Sequence, residues 1–248
     1  MKTFILNRNI ILLAAAVALF TLGCSRMFHG GWFGFGVRGS GVEKTEQRDI
    51  GAFTAIDVGG AYELEVVCGQ SPRLEITGDD NILPLIKTEV RGGTLVIESR
   101  ENINPKLTLR LKIGTQDLER LESSGASDVK IAQVNNNALR IETSGAGSVV
   151  ADVRTKTLTV ETSGAGDVRA SGQTDTFSIE TSGAGKVRAK DLQAQRVTVR
   201  ISGAGDAEVT ALQELNARVS GAGDVTYYGN PSVVNQEVSG AGSVNKRN

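Results

Sequence analysis
The chain has 248 residues, 22% charged and 40% hydrophobic, enough for one sizeable core or two small ones. Lys and Arg number 27 against 28 Asp and Glu, a balance that argues against a nucleic-acid partner, which would want a basic patch. Aromatic residues make up only 4% and glycine occurs 30 times, which suits a narrow interior packed with Val, Leu, Ile and Ala.

The first 23 residues read as a signal peptide. Lys2 and Arg8 form a positive start, and Ile10 to Leu22 is an apolar run of 13 residues, too short to span a bilayer comfortably. Gly23 directly before Cys24 resembles a bacterial lipobox, although Thr21 stands where Leu is usual. The resemblance implies thioether lipidation of Cys24 and cleavage before it; the plain alternative is a secretory leader with an incidental cysteine. Acyl chains anchor stably because each buried CH₂ contributes about 0.8 kcal/mol. Ser25 after the cysteine implies an outer-membrane destination, and no run of acids follows to signal surface export. Without Lys2 and Arg8 the chain carries 25 basic and 28 acidic residues, a net of −3.

Residues 24–48 read as a lipidated tether. Met27, Phe28, Trp32, Phe33 and Phe35 lie among glycines here, either on a flexible linker or at the level of lipid headgroups. His29, the chain's single histidine, has no companion with which to act as ligand or base.

Residues 49–117 read as irregular β strands forming a cap. Phe53–Val58, Tyr62–Cys68 and Arg73–Thr77 alternate, separated by turns at Gly59-Gly60 and Gly69–Pro72. Asp79-Asp80-Asn81 is placed to cap a short helix through Ile82–Ile86. Lys87–Arg91 and Thr94–Ile97 flank Gly92-Gly93, the composition of a two-residue hairpin, and Leu107–Ile113 adds a strand. Cys68 has no partner once Cys24 is lipidated, so it reads as a buried structural thiol; a reactive or intermolecular thiol is the alternative.

Residues 118–248 are governed by one phrase, Ser-Gly-Ala-Gly, beginning at Ser144, Ser163, Ser182, Ser202, Ser220 and Ser239, with a weaker copy at Ser124–Ser127. Successive serines lie 20, 19, 19, 20, 18 and 19 residues apart, a period that marks a stacked repeat. Each phrase is entered by alternating apolar positions such as Leu158, Val160 and Thr162, and left by an inward Val149, Val168 or Val187. A repeat this short cannot bury its own apolar face, but stacked copies can, at roughly 4.8 Å per rung. Parallel strands cross over right-handed. The expected fold is therefore all-β: a right-handed parallel β-helix of about 19-residue coils, seven in number, with an irregular N-terminal cap. Stacked copies of one residue form ladders. Glycines are expected to supply positive φ in the corner, and the alanine between them to sit inside it, so that Ala165→Leu would overpack. A helical solenoid lacks the necessary periodicity, and a propeller blade needs a longer repeat; an antiparallel array of hairpins is the competing β arrangement. Tyr227 to Pro231 interrupt the repeat, and Lys246 and Arg247 are placed to discourage edge-to-edge growth.

From Phe53 onward the chain resembles the bacterial family known as putative auto-transporter adhesin, head GIN domain. The resemblance rests on Phe53–Val58, on Leu74–Asn81 followed by Thr88-Glu89-Val90 and Gly93–Ile97, and on the Ser-Gly-Ala-Gly coils. It implies an envelope or secreted β-helix, often a lipoprotein, with no catalytic residues to carry over.

The chemistry on offer is sparse. An outward row Glu142, Glu161, Glu180 would stack carboxylates one rung apart, to hold a cation, act on a sugar or simply face solvent, with Arg200 next to relieve repulsion. Arg169 and Arg188 form a basic pair on another row. The corner serines lack a histidine to activate them. Gly-Ala-Gly-Asp-Val at 164–168 and 221–225 is similar to a calcium-binding nonapeptide, but its period is wrong and its acid gives way to Ser148, Lys186 and Ser243. The expectation is a non-enzymatic envelope protein with no cofactor and no metal: an adhesin or scaffold held to the membrane through Cys24, with a glycan or an envelope or host protein as ligand. The alternatives are a carbohydrate-active enzyme using the glutamates and a structural assembly protein whose coil ends stack.

Overall fold
The structure, a computed structural model, describes residues 36–248; the leader, Cys24 and the aromatic tether with His29 lie outside the described residues. The described part begins with β1 (Val37–Arg38), β2 (Glu43–Arg48), β3 (Ala55–Val58), β4 (Glu63–Cys68) and β5 (Arg73–Asp79). After a 3₁₀ turn at Leu83–Leu85 come β6 (Ile86–Arg91), β7 (Thr94–Ser99), β8 (Ile103–Asn104), β9 (Arg110–Thr115) and β10 (Arg120–Ser123). The repeats then supply β11 (Asp128–Thr143), β12 (Ser148–Thr162), β13 (Asp167–Thr181), β14 (Lys186–Ile201), β15 (Asp206–Val219), β16 (Asp224–Tyr228), β17 (Val233–Val238) and β18 (Ser243–Lys246).

From β10 onward every pairing is parallel, each coil lying on the one before it. This rules out the antiparallel array. The register is the one the repeat demands: Leu139, Leu158, Phe177, Val197 and Leu215 fall in one column, and Ile141, Val160, Ile179, Val199 and Ala217 in the next. All of these are buried. A column of Thr143, Thr162 and Thr181 continues upward as Ile201 and Val219. Thr162 Oγ1 donates to Thr181 Oγ1 at 3.1 Å, whereas the buried Thr143 Oγ1 has no partner among the described residues. A second polar column lies at the next bend, where Thr155 Oγ1 donates to Asn136 Oδ1 at 2.9 Å and Thr174 Oγ1 to the Lys156 carbonyl at 3.2 Å.

The corner differs from expectation in two ways. Ala126, Ala146, Ala165, Ala184, Ala204 and Ala222 all point outward and are exposed. The phrase's glycines are also absent from the residues with positive φ. They are required by close approach instead. The N–H of Ala165 donates to the Gly145 carbonyl, that of Ala184 to Gly164 and that of Ala204 to Gly183, each at 3.0 Å. These bonds draw successive corners so near that a Cβ on Gly164 or Gly183 would collide with the carbonyl oxygen one rung down. The weaker first copy ends in Ser127 because it stacks on the cap: Ser127 Oγ donates to the Gly60 carbonyl at 3.1 Å.

The cap mixes parallel and antiparallel pairs. On one face β3 joins β10 to β7, and β7 pairs antiparallel with β6 across Gly92-Gly93, whose φ values are 54° and 79°. On the other, β4 lies between β11 and β9, then β5 and finally β2 pair antiparallel. Folded structure thus begins within the stretch that composition assigns to the tether, since β1 pairs with β8 and β2 with β5. Asp79-Asp80-Asn81 explains why. The expected helix cap is not made: the short turn starts at Ile82 with no side-chain cap. Asp79, fully buried, instead accepts the N–H groups of Gly41 at 2.6 Å, Lys106 at 2.9 Å and Leu107 at 3.0 Å. Asp80 accepts from Ser40 Oγ at 2.5 Å, and Asn81 Oδ1 accepts the Ser40 N–H at 2.8 Å. Three consecutive polar side chains therefore hold residues 38–42 against the cap.

Candidate functional surface
Stacking turns each outward position into a row running up the solenoid. The expected carboxylate row forms: Glu122, Glu142, Glu161 and Glu180 occupy successive rungs, with Arg200 and Arg218 above. It lines a shallow groove of about 200 Å³ together with the corner serines 144, 163 and 182. Repulsion is relieved by Arg140 on the neighbouring row, not by Arg200. Arg140 Nε donates to Glu142 Oε1 at 2.5 Å and its Nη2 to Glu161 Oε2 at 2.7 Å. The hydrogen bond it donates to Glu142, helped by the charges of both carboxylates, raises the Arg140 guanidinium above its ordinary value. An acid–base pair for sugar hydrolysis needs two carboxyl groups free to take different protonation states. Here two of the row's four glutamates, Glu142 and Glu161, share one guanidinium.

The row after the corner mixes acids with serine and lysine. Ser148 Oγ donates to Asp128 Oδ1 at 2.6 Å, Lys186 pairs with Asp206 at 3.1 Å, and Ser243 Oγ donates to Asp224 Oδ1 at 2.7 Å. The residues that interrupt the acids are thus the ones that satisfy them. Among the described residues no group of three or more His, Cys, Asp or Glu is placed to hold a metal ion. Arg169 and Arg188 are adjacent rungs as expected, and both turn to Asp167, at 3.9 and 2.7 Å. That carboxylate raises the Arg188 guanidinium as well. Cys68 is buried at the end of β4, where burial first and then the charge of Asp117 push its thiol up to about 11. A thiol so rarely ionised is a poor nucleophile, as a structural residue would be.

Two concavities larger than the glutamate groove lie on a row the sequence reading passed over; a further one of about 640 Å³ lies at the cap, beside Arg48, Arg73 and Glu75. Asn135, Arg154, Gln173 and Gln193 fall on consecutive rungs. Two adjoining grooves of about 410 and 520 Å³ share these four residues, flanked by Asp152 and Asp191 on one side and Lys156 and Asp175 on the other. None of these side chains makes an ion pair or hydrogen bond among the described residues, so their donors and acceptors are available to a ligand. The signal was present ten residues after each corner serine for Arg154 and Gln173. Register shifts between Ile131 and Val134, and between Ala189 and Gln193, obscure it in the other coils.

A stack of parallel coils that pairs its charges with one another along two rows and leaves open a third row of three amides and a guanidinium is, by class, a β-helix scaffold with a polar face. The chain belongs to the family described as putative auto-transporter adhesin, head GIN domain, whose profile matches residues 52–231. Among solved structures, a putative adhesin from Bacteroides fragilis is 26% identical with a TM-score of 0.81, over 85% of this chain and 100% of that one. A putative lipid binding protein from Parabacteroides distasonis is 24% identical with a TM-score of 0.72, over 86% and 99%. A putative adhesin from Parabacteroides merdae is 22% identical with a TM-score of 0.71, also over 86% and 99%. No curated protein matches the sequence. No helix among the described residues is long and apolar enough to cross a membrane.

Proposed function
We propose that the chain is a non-enzymatic lipoprotein of the bacterial outer membrane, held by lipid on Cys24, that uses its solenoid as a rigid binding face for a glycan or for an envelope or host protein. The observation that carries this reading is the row Asn135, Arg154, Gln173 and Gln193, with its hydrogen-bonding groups unspent along two grooves. Amides both donate and accept, which suits hydroxyl-rich or peptide ligands, and regular rungs suit an extended one. The membership of an adhesin family agrees with this.

Two measurements test the proposal. Labelled palmitate is incorporated by the wild-type chain and not by Cys24→Ser, which is released from the membrane fraction; labelling that survives the substitution refutes the anchor. Purified protein is screened against glycans, peptidoglycan and host-matrix proteins. Arg154→Ala with Gln173→Ala weakens the binding found by about tenfold or more, as expected for two lost hydrogen-bonding side chains. Binding that the double substitution leaves intact places the ligand on another face.

A further inference from the structure
The two ends of the solenoid are finished differently. At the capped end the outermost strands are β2 and β6, and both are rich in charge: Glu43, Lys44, Glu46 and Arg48 on one, Lys87, Glu89 and Arg91 on the other. Charged edge strands discourage pairing with another sheet. At the far end β17 reads Val-Val-Asn-Gln-Glu-Val, with Glu237 its single charge, and all six residues are exposed. Val234 and Val238 stand one rung above Leu215 and Val219. Those two are 0% exposed, whereas Val234 and Val238 are 39% and 43% exposed. The charges expected to guard this end do not cover β17: Lys246 lies on β18, where its Nζ donates to Asn230 Oδ1 at 3.0 Å.

We infer that the open end pairs with the open end of a second copy across a two-fold axis, β17 running antiparallel to its mate. The pattern of β17 is self-complementary in one register. Directly opposed residues of an antiparallel pair lie on the same face. With Gln236 at the axis, Val234 meets Val238 of the second copy and the converse, so the open core columns close on each other. Asn235 meets Glu237, which keeps the two carboxylates apart and gives each an amide donor. Gln236 occupies the column of the buried Ala217, and across the axis it meets itself, an amide donating to and accepting from its own copy. Head-to-tail growth is opposed by the charged strands of the cap, so the assembly stops at two. The contact is small beside the usual ~1,600 Å² interface, and its affinity in solution is correspondingly modest. Many copies on one membrane compensate through effective concentration. In this step the inference rests on the reading above, with the copies held on a membrane through Cys24.

Sedimentation velocity of the full chain in detergent tests the dimer. A concentration-dependent monomer–dimer equilibrium is expected, with no larger species. Gln236→Glu and Gln236→Lys each weaken it by about tenfold or more at neutral pH, because like charges then face each other. Mixing the two variants restores a heterodimer, which only a two-fold through residue 236 predicts. Residue 236 is exposed, so at concentrations where the wild type is monomeric both variants keep its melting temperature, and circular dichroism checks this. A monomer at every concentration, a series of oligomers, or a mixture that behaves like its separate components each overturns the proposal; a monomer is also what results if a segment of the same chain covers β17.

Discussion
Glycine in the corner phrase is there for what it lacks. A methyl group on Gly164 would have to displace the Gly145 carbonyl that accepts the Ala165 N–H, so the clash and the hydrogen bond compete for the same space. Gly164→Ala is therefore expected to destabilise by about 3 kcal/mol, at the upper end of overpacking effects. Ala165→Leu, one residue on, adds an exposed side chain and changes stability by less than about 0.5 kcal/mol. Thermal melts of the two variants check both, and similar shifts would refute the corner geometry. Asp79 is the other residue whose environment decides its role. Burial alone would raise its carboxyl, but the N–H groups of Leu107, Gly41 and Lys106, with the Lys106 charge, outweigh it and hold the group below its ordinary range. A carboxyl lowered on folding contributes stability above its unfolded value near 3.9, and that contribution is lost as pH falls through the folded value. Acid titration of stability is expected to lose this step in Asp79→Ala. At neutral pH that variant is less stable by about 3 kcal/mol, with three donors left unpaired.

At the scale of one column, a polar ladder inside an apolar stack is only as good as its last bond. Thr162 and Thr181 satisfy each other, while Thr143 Oγ1 is buried with no partner among the described residues. Two rungs above Thr181 the same column holds Val219. Thr143→Val keeps the shape and removes the unpaired hydroxyl, and is expected to stabilise by about 1 kcal/mol. Thr181→Val instead strands the Thr162 hydroxyl and gains nothing. Chemical denaturation separates the two, and a loss of stability in Thr143→Val would mean that a bound water serves that hydroxyl. Outside, the ion pairs of Arg140 contribute little each because they are exposed, so Arg140→Gln changes stability by at most about 1 kcal/mol.

For the molecule as a whole, contacts run from coil to coil, so stability is close to a sum over neighbours. The coils β12 to β14 have a neighbour on both sides, and β17 and β18 have one. Amide exchange is expected to be slowest in β12–β14 and fastest in β16–β18, in proportion to this imbalance. Equal protection along the stack would contradict it, while selective protection of β17 that rises with protein concentration is the signature of the end-to-end dimer. The capped end is not expected to fray, because β2 and β5 are held by the side chains of Asp79, Asp80 and Asn81.

Much of this was legible in the chain. The 19-residue period and the alternation on either side of each serine determined a parallel stack and the columns within it, because equal spacing places like residues over like residues. For the same reason the rows Glu142–Glu161–Glu180 and Arg169–Arg188 could be written down before any coordinates. Distances between rungs are not encoded in a period. That the corner's alanine faces out and its glycines touch backbone followed only once successive corners were hydrogen-bonded at 3.0 Å. The partners of Asp79-Asp80-Asn81 lie some forty residues upstream at Ser40 and Gly41, and well downstream at Lys106 and Leu107, beyond the reach of a local capping rule. The pairing of Arg140 with glutamates on two rungs, and the open row at Asn135, Arg154, Gln173 and Gln193, depend on which side chains meet across coils. Period and polarity are properties of one strand at a time, whereas contact between coils exists only after the chain has wound back upon itself.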